Sequence, residues 1–504
     1  MVPGPIIRAL ASSFLLVLAF PGPDLGMVSL VALVPLLAGI EGEPKARAFL
    51  TGWISGFFWF FISLNWLAET LAEFGGIPFP LNQLVIGLMG LILALYPALF
   101  ALIVSAAGPA SRWSVLVYPS AWVALEFARS WVPVPFPWLL LGSAFWKYPA
   151  VAPLFAFGGV YGVSFAVVAI NTSIYGIAVS LMKRDFRAAV GWGGFTAALT
   201  GGLVLMSLLA GEKDAGEQIV VGVVQGNYAQ EVKWEESYRD EVISTYIDLT
   251  RQAVSEGAEL VVWPETAMPF YFQVEPELAD RLRDLARDEG VHLVFGSPAF
   301  DIIGQELVLY NRAYYLSPTG QEGRYDKIRL VPFGEYVPFK SLLPFVDKIV
   351  PGVGEFTAGR WTVPFDTPVR SGVLICYEVS IPSLSRREVA DGADIILNIT
   401  NDAWFGRSWG PYQHLAMASL RAAENGVPVV RAANTGISAI VDRKGKQIKR
   451  IELFEKGYIV AEVQTRTEPT FYTRWGNLIV YLSVIVILFA VFRKLAKRFQ
   501  TKYG

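Results

Sequence analysis

The sequence predicts a polytopic α-helical membrane domain of about eight spans joined to one large α+β domain. Three observations carry this reading. Hydrophobic residues fill 53% of the 504 positions and charged residues only 17%, well below the roughly 25% of a soluble domain. The shortage is uneven: charge is scarce over 1–211 and ordinary over 212–466, and a last apolar run with a basic tail occupies 467–504. Within 212–466, short β-branched runs alternate with amphipathic stretches, as strands alternate with helices. The formal net charge of -2 gives no indication of a nucleic-acid partner.

A helix needs about 20 apolar residues to cross a bilayer. Candidate spans are 5–20, 25–40, 49–67, 81–107, 113–127, 151–182, 188–210 and 478–492. The first lacks a small-residue cleavage site before the next run, so it reads as retained. The run 151–182 is longer than one crossing requires and is expected to begin with an interfacial piece. Trp53, Phe57, Phe58, Trp59, Phe60 and Phe61 suit a membrane helix with interfacial ends. Pro133, Pro135 and Pro137 exclude a regular helix and predict a re-entrant or interfacial loop.

Charge orients the spans. Lys45, Arg47, Arg112, Lys183, Arg184, Arg187, Arg493, Lys494, Lys497, Arg498 and Lys502 all fall on one side of an eight-span arrangement. The opposite loops are expected to hold Glu69, Glu73, Glu126, Arg129 and Lys147. The positive-inside rule makes the basic side cytoplasmic and puts the inserted domain outside the cytoplasm.

Within that domain, strands are expected at 219–224, 260–263, 292–295, 313–316, 373–376, 395–398, 427–431, 438–441 and 458–463, and helices at 236–256, 275–289 and 412–425. Pro318-Thr-Gly320 and Arg443-Lys-Gly445 are turns. One sheet face cannot absorb so many buried runs, so a two-sheet core with helices outside fits better. After Ile381-Pro382, a helix is expected with Ser385, Arg386, Arg387 and Glu388 on its polar side.

Polar residues interrupt the ends of four apolar runs. Trp263-Pro-Glu265 ends one, and Cys376-Tyr-Glu378 ends another. Between them, Tyr325-Asp-Lys327 and Val331-Pro-Phe-Gly-Glu335 offer an ammonium and a second carboxylate; Asn398-Ile-Thr-Asn-Asp402 follows a further strand. Strand ends on one sheet edge converge in space. A carboxylate there can take the proton of a thiol whose ordinary pKa is about 8.5 and later return it to a leaving group. An ammonium can stabilise the thiolate and a tetrahedral oxyanion. Taken singly, each residue also has a plain structural reading: Cys376 as a small core residue, Glu265 and Lys327 as solvated charges, Glu335 and Glu378 as local ion-pair partners. Asn398, Asn401 and Asp402 are turn formers by default, His414 a helix-start residue and His292 a strand edge. Cys376 is the only cysteine, and with two histidines the Cys/His zinc patterns are absent and histidine-based triads are disfavoured.

Trp-Pro-Glu265, Tyr-Asp-Lys327 with Val-Pro-Phe-Gly-Glu335, and Cys376-Tyr-Glu378 resemble the Glu-Lys-Cys set of the carbon–nitrogen hydrolase (nitrilase) superfamily. The spans narrow the resemblance to its membrane-embedded branch, the apolipoprotein N-acyltransferases of the bacterial cytoplasmic membrane. Val224-Gln-Gly-Asn227, Lys233-Trp234, Asn401-Asp-Ala-Trp-Phe-Gly406 and Asn434-Thr-Gly436 are similar to that family as well. The resemblance implies a nitrilase-like αββα sandwich facing the periplasm. It implies Cys376 as nucleophile, Glu265 as general base and acid, Lys327 as oxyanion stabiliser, support from Glu335, Glu378 and Tyr377, and substrate contacts at Trp234, Trp404 and Asn401. The implied reaction is ping-pong: a phospholipid acyl chain passes to Cys376 as a thioester, then to the free N-terminal amine of a diacylated apolipoprotein, with no cofactor or metal. The alternative is a membrane-tethered nitrilase-type amidase. A transporter whose inserted domain only binds is disfavoured, because few ionisable residues sit deep in the apolar runs.

Overall fold

The computed structural model describes residues 4–108, 110–132, 134–209, 215–229, 235–338, 356–361, 363–466 and 468–503. The chain is helical to Leu209. Among the described residues, three helical stretches are long and apolar enough to cross a membrane: Leu81–Ala107, Pro149–Met182 and Leu478–Ala496. A fourth exists if Lys45–Ser63 and Leu67–Glu73, bent by 53°, form one span. The expected run 49–67 therefore breaks near its end. Pro5–Ala19 and Gly26–Ile40 are apolar but shorter. The long stretch starts with a 3₁₀ turn, Pro149–Val151, before the helix Ala152–Met182. That helix kinks at Gly159, whose φ is 62°; any Cβ there would lie 2.6 Å from the Tyr472 ring. The Val160 N–H donates to Glu424 Oε1 at 2.7 Å.

Glu126 and Arg129 are not loop residues. Both are buried near the end of the helix Ser114–Arg129. Arg129 donates to the carbonyls of Trp138 at 2.6 Å and Leu139 at 3.2 Å, and Glu126 accepts from the Leu141 N–H at 2.6 Å. They satisfy the irregular backbone after Pro137, where no helix or sheet partner exists.

Two six-stranded sheets follow. The first has the order β12-β1-β2-β3-β4-β5: β1 is Ala215–Gln225, β2 Leu260–Val262, β3 His292–Ile303, β4 Glu306–Leu316, β5 Glu322–Asp326 and β12 Gly457–Arg466. The second has the order β11-β10-β9-β8-β7-β6: β6 is Phe365–Asp366, β7 Arg370–Ile375, β8 Ile395–Thr400, β9 Val429–Ala433, β10 Ser438–Val441 and β11 Gln447–Ile451. The central pairs β1–β2, β2–β3, β7–β8 and β8–β9 are parallel.

Strand alternation sorts the layers. Val373 and Ile375 of β7, with Leu397 and Ile399 of β8, pack inward against Val221, Val223 and Val262 of the first sheet. The outer face of the first sheet packs on the helices Arg239–Ser255 and Pro276–Asp288. The outer face of the second, through Leu374, Ile396 and Val429, shares one apolar core with the helix Gly410–Asn425 and with Trp59, Phe60, Trp122 and Trp138 of the helical region. Gln413 fastens this join. Its Oε1 accepts from Trp66 Nε1 at 3.1 Å and Trp138 Nε1 at 2.7 Å, and its Nε2 donates to the Ser63 carbonyl at 3.1 Å.

Two expectations require correction. β7 ends at Ile375, and Cys376 opens a 3₁₀ turn, Cys376–Ser380. In the helix Pro382–Ala390, Ser385 and Glu388 are buried rather than on a solvated face, because that helix is packed between β7, β8 and the helix Gly410–Asn425.

Candidate active site

Segments leaving four strands meet at one buried site. After β2, Pro264 has no N–H to continue a ladder, and the chain turns so that Glu265 passes under β3. Gly296 permits this close approach: a Cβ there would lie 2.4 Å from Thr266 N and 2.8 Å from the Glu265 Cα. The Gly296 N–H donates to the Pro264 carbonyl at 3.1 Å.

Lys327 directly follows β5, and its N–H donates to the Asn311 carbonyl of β4 at 2.9 Å. Its ammonium donates to Glu265 Oε1 at 3.3 Å and to Glu335 Oε1 at 2.8 Å. The turn after Val331 brings Glu335 back: the Glu335 N–H donates to the Val331 carbonyl at 2.9 Å, and Glu335 Oε2 accepts from the Val331 N–H at 2.8 Å. Asn311 Nδ2 completes the cluster, donating to Glu265 at 2.6 Å and to Glu335 at 3.0 Å. Glu265 Oε2 accepts from the Asn401 N–H at 2.8 Å. Burial alone would push the Lys327 ammonium down, but Glu265 and Glu335 outweigh it and hold its pKa well above the ordinary lysine value. Lys327 therefore stays cationic.

Cys376 holds a φ of 52°, a region non-glycine residues seldom adopt. Burial pushes its thiol up to about 12; Glu265 adds to the rise, while Lys327 and the Thr400 hydroxyl oppose it. The resting group is a neutral thiol facing a carboxylate and an ammonium, so an adjacent base must take its proton before it can attack.

Glu378 ties these parts together. Its Oε1 accepts from the N–H groups of Ile328 at 2.7 Å and Arg329 at 2.9 Å. Its Oε2 accepts from the Ile375 N–H at 2.8 Å and the Tyr325 hydroxyl at 2.9 Å. Burial pushes Glu378 up to about 7, against the backbone donors of Ile375 and Arg329 and the charge of Lys327.

The remaining sequence-predicted residues lie around this centre. The Tyr377 hydroxyl donates to the Pro135 carbonyl of the irregular loop at 2.6 Å. Asn401 meets Glu265 through its backbone, and its Oδ1 accepts from Asn434 Nδ2 at 3.3 Å. Trp404 lies at the rim, stacked edge-on against Phe74 at 4.8 Å, with its carbonyl accepting from the Thr70 hydroxyl at 2.7 Å. Trp234 lies outside the described residues. Sequence reasoning missed Asn311, whose only signal is an amide inside a strand-like run, and underrated His414 and Asp402, which are buried and hydrogen-bonded to each other at 2.9 Å. Arg431 Nη2 donates to Asp402 at 2.6 Å. Burial alone would raise Asp402; Arg431 and His414 outweigh it and hold the carboxyl below its ordinary range.

A buried thiol, carboxylate and ammonium thus lie together on a two-sheet sandwich of the carbon–nitrogen hydrolase class. Residues 220–471 match the carbon-nitrogen hydrolase family, and residues 12–173 match the apolipoprotein N-acyltransferase N-terminal domain. The apolipoprotein N-acyltransferase of Geobacter metallireducens is 37% identical over 486 residues, 95% of this chain and 93% of that protein. Those of Haemophilus ducreyi and Methylococcus capsulatus are 31% and 32% identical, over 95% and 94% of this chain and 94% and 92% of theirs. The chain belongs to the apolipoprotein N-acyltransferase family.

Proposed function

We propose that the chain moves a fatty acyl group from a membrane phospholipid to the free N-terminal amine of a diacylated apolipoprotein, in two half-reactions at Cys376. Glu265 takes the Cys376 proton as Sγ attacks the donor ester carbonyl. Lys327 balances the oxyanion of the tetrahedral intermediate. The C–O bond breaks, Glu265 returns the proton to the departing lysophospholipid oxygen, and a thioester remains. The acceptor amine then attacks the thioester and loses its proton to Glu265; the C–S bond breaks to release the amide, and Glu265 passes that proton to the departing Cys376 Sγ, restoring the thiol. Glu335 and Asn311 hold Lys327 and Glu265 in register; Glu378 and Tyr377 hold the cysteine turn; Trp404, Asn401 and Trp234 contact substrate.

The observation that carries this reading is the single apolar core joining the cysteine-bearing sheet to the apolar helices. Such a site receives its substrates from the bilayer rather than from water. On the same reading, 1–211 is a membrane bundle of about seven spans, 212–466 the catalytic domain, and 467–504 an eighth span with a basic cytoplasmic tail. The catalytic domain faces the periplasm from the bacterial cytoplasmic membrane. The amidase alternative is not favoured, since relatives named as acyltransferases match along nearly the whole chain, helical region included.

The test is transfer itself. Purified protein with phospholipid and a diacylated lipopeptide should yield the triacylated peptide, read by mass spectrometry. A lipopeptide with an acetylated N-terminus should yield none. Release of free fatty acid at the same rate with and without acceptor would favour the amidase reading.

A further inference from the structure

Two backbone groups close to Cys376, one residue before it and one on the residue itself, are held by buried side chains. The Ile375 N–H is held by Glu378, as described. The Cys376 carbonyl lies 3.2 Å from His414 Nε2. The other ring nitrogen, Nδ1, lies 2.9 Å from Asp402 Oδ1 and 3.1 Å from Arg431 Nη2. His414 is fully enclosed, with the Trp138 ring 5.7 Å from its own and Phe405 edge-on at 6.0 Å.

A carbonyl oxygen accepts and cannot donate. For that contact to be a hydrogen bond Nε2 must carry a proton, and Arg431 Nη2, which can only donate, lies 3.1 Å from Nδ1 and makes that nitrogen the acceptor of the neutral ring. The surroundings are built to keep it so. Register pairs Asn398 of β8 with Arg431 of β9, and strand alternation sends both toward the helix Gly410–Asn425 that carries His414. Arg431 bonds Asn398 Oδ1 and donates to Asp402 at 2.6 Å and to the Ile437 carbonyl at 3.2 Å. The Thr400 hydroxyl donates to Asp402 Oδ1 at 3.0 Å. Asp402 and Arg431, fixed in turn by Asn398 and Thr400 of β8 and by the Ile437 carbonyl, fix the Nδ1 edge of the ring and leave Nε2 aimed at Cys376.

We infer that His414 is a positioning residue for the acyl transfer: its Nε2–H grips the Cys376 carbonyl and holds the left-handed turn that presents the thiol to Glu265 and Lys327. The inference rests on Cys376 being the acylated group. Without this donor the Cys376 carbonyl is unheld and the turn relaxes toward ordinary φ values, swinging the thiol away. Because Trp138 lies on the ring and also bonds Gln413, the grip is seated directly on the helical region.

Two substitutions separate this role from simple packing. In His414→Gln the amide nitrogen reaches the position of Nε2 and keeps the donor to Cys376. In His414→Asn the amide reaches only the Nδ1 position, keeping a polar partner for Asp402 and leaving the carbonyl unheld. Acyl loading from phospholipid onto Cys376 should stay within about threefold of the unaltered protein for His414→Gln and fall about 10- to 100-fold for His414→Asn. Equal loading in the two folded variants overturns the inference. A readout on the unaltered protein covers the case in which either variant fails to fold. With only two histidines in the chain, 15N-labelled imidazole spectra, with His292→Gln to assign them, should show His414 Nε2 protonated from pH 6 to 9. A bare Nε2 overturns it. If the unaltered protein never acquires an acyl group on Cys376, the functional reading fails instead.

Discussion

The Glu378 carboxylate accepts a 2.7 Å hydrogen bond from the N–H of Ile328, the residue after Lys327. Its other oxygen accepts from Ile375, the residue before Cys376, at 2.8 Å. One buried side chain thus sets the spacing between the thiol turn and the ammonium segment. Glu378→Gln turns an amide NH₂ toward backbone N–H groups that can only donate, those of Ile328 and Arg329 or that of Ile375. Leaving a buried donor unpaired costs about 1–3 kcal/mol, and misplacing the segment should slow acyl loading by about 100-fold or more. Thermal unfolding and single-turnover loading measure the two effects.

The pH dependence follows from the same residue. Three of the four partners of Glu378 are backbone N–H groups that only donate, and the fourth, the Tyr325 hydroxyl, donates to it here, so the ionised form is the one that holds both segments as observed. Burial raises its pKa from 4.5 to about 7. Loading should therefore fall as pH drops through about 7, while Lys327 stays charged. Stability runs the other way. The folded state binds this proton more tightly than the unfolded one, so its contribution is full below about pH 4.5 and is lost as pH rises through about 7. Loading rates at several pH values, with unfolding midpoints on the same samples, test both signs.

Gly296→Ala drives a methyl into the backbone of Glu265 and Thr266, which leaves no room at 2.4 Å. Loading should drop toward the level of Glu265→Gln, about 10²- to 10⁴-fold below the unaltered protein. Far-ultraviolet circular dichroism should remain native-like.

Much of this arrangement is readable from residue order. The runs around Val373 and Leu397 read as strands because each buries both faces, and the residues that break the pattern at run ends, Glu265, Lys327 and Cys376, are the ones the structure brings together. The membrane helices are less legible. A run such as 49–67 looks continuous by hydropathy, yet the pattern does not encode the 53° bend after Ser63. Ser385 and Glu388 mislead for a related reason: polarity suggests solvent, but β7, β8 and the helix Gly410–Asn425 pack over the helix that carries them. Asn311 and His414 each stand alone among apolar neighbours, and only strand register and the helix packed across it give them partners.

Glu388 is buried behind β7, and its Oε1 has no hydrogen-bond partner among the described residues. Burial, with Glu378 and Asp391 nearby, raises its pKa from 4.5 to about 9 against the opposing charge of Arg387. It is protonated in the folded state at neutral pH, and its stabilising contribution is full below about pH 4.5 and lost as pH rises through about 9. Glu388→Gln removes this dependence. The variant should gain about 5 kcal/mol on the unaltered protein between pH 4 and pH 8, measured as the change in relative unfolding stability, with loading nearly unchanged.

The central claim is that Cys376 carries the acyl group between donor and acceptor. The most direct measurement is the intact mass of the protein after incubation with phospholipid alone. The account predicts a gain of one fatty-acyl group, removed by neutral hydroxylamine, discharged by a diacylated lipopeptide with a free amine, and absent in Cys376→Ala. An acyl adduct that persists in Cys376→Ala would contradict it by placing the nucleophile elsewhere.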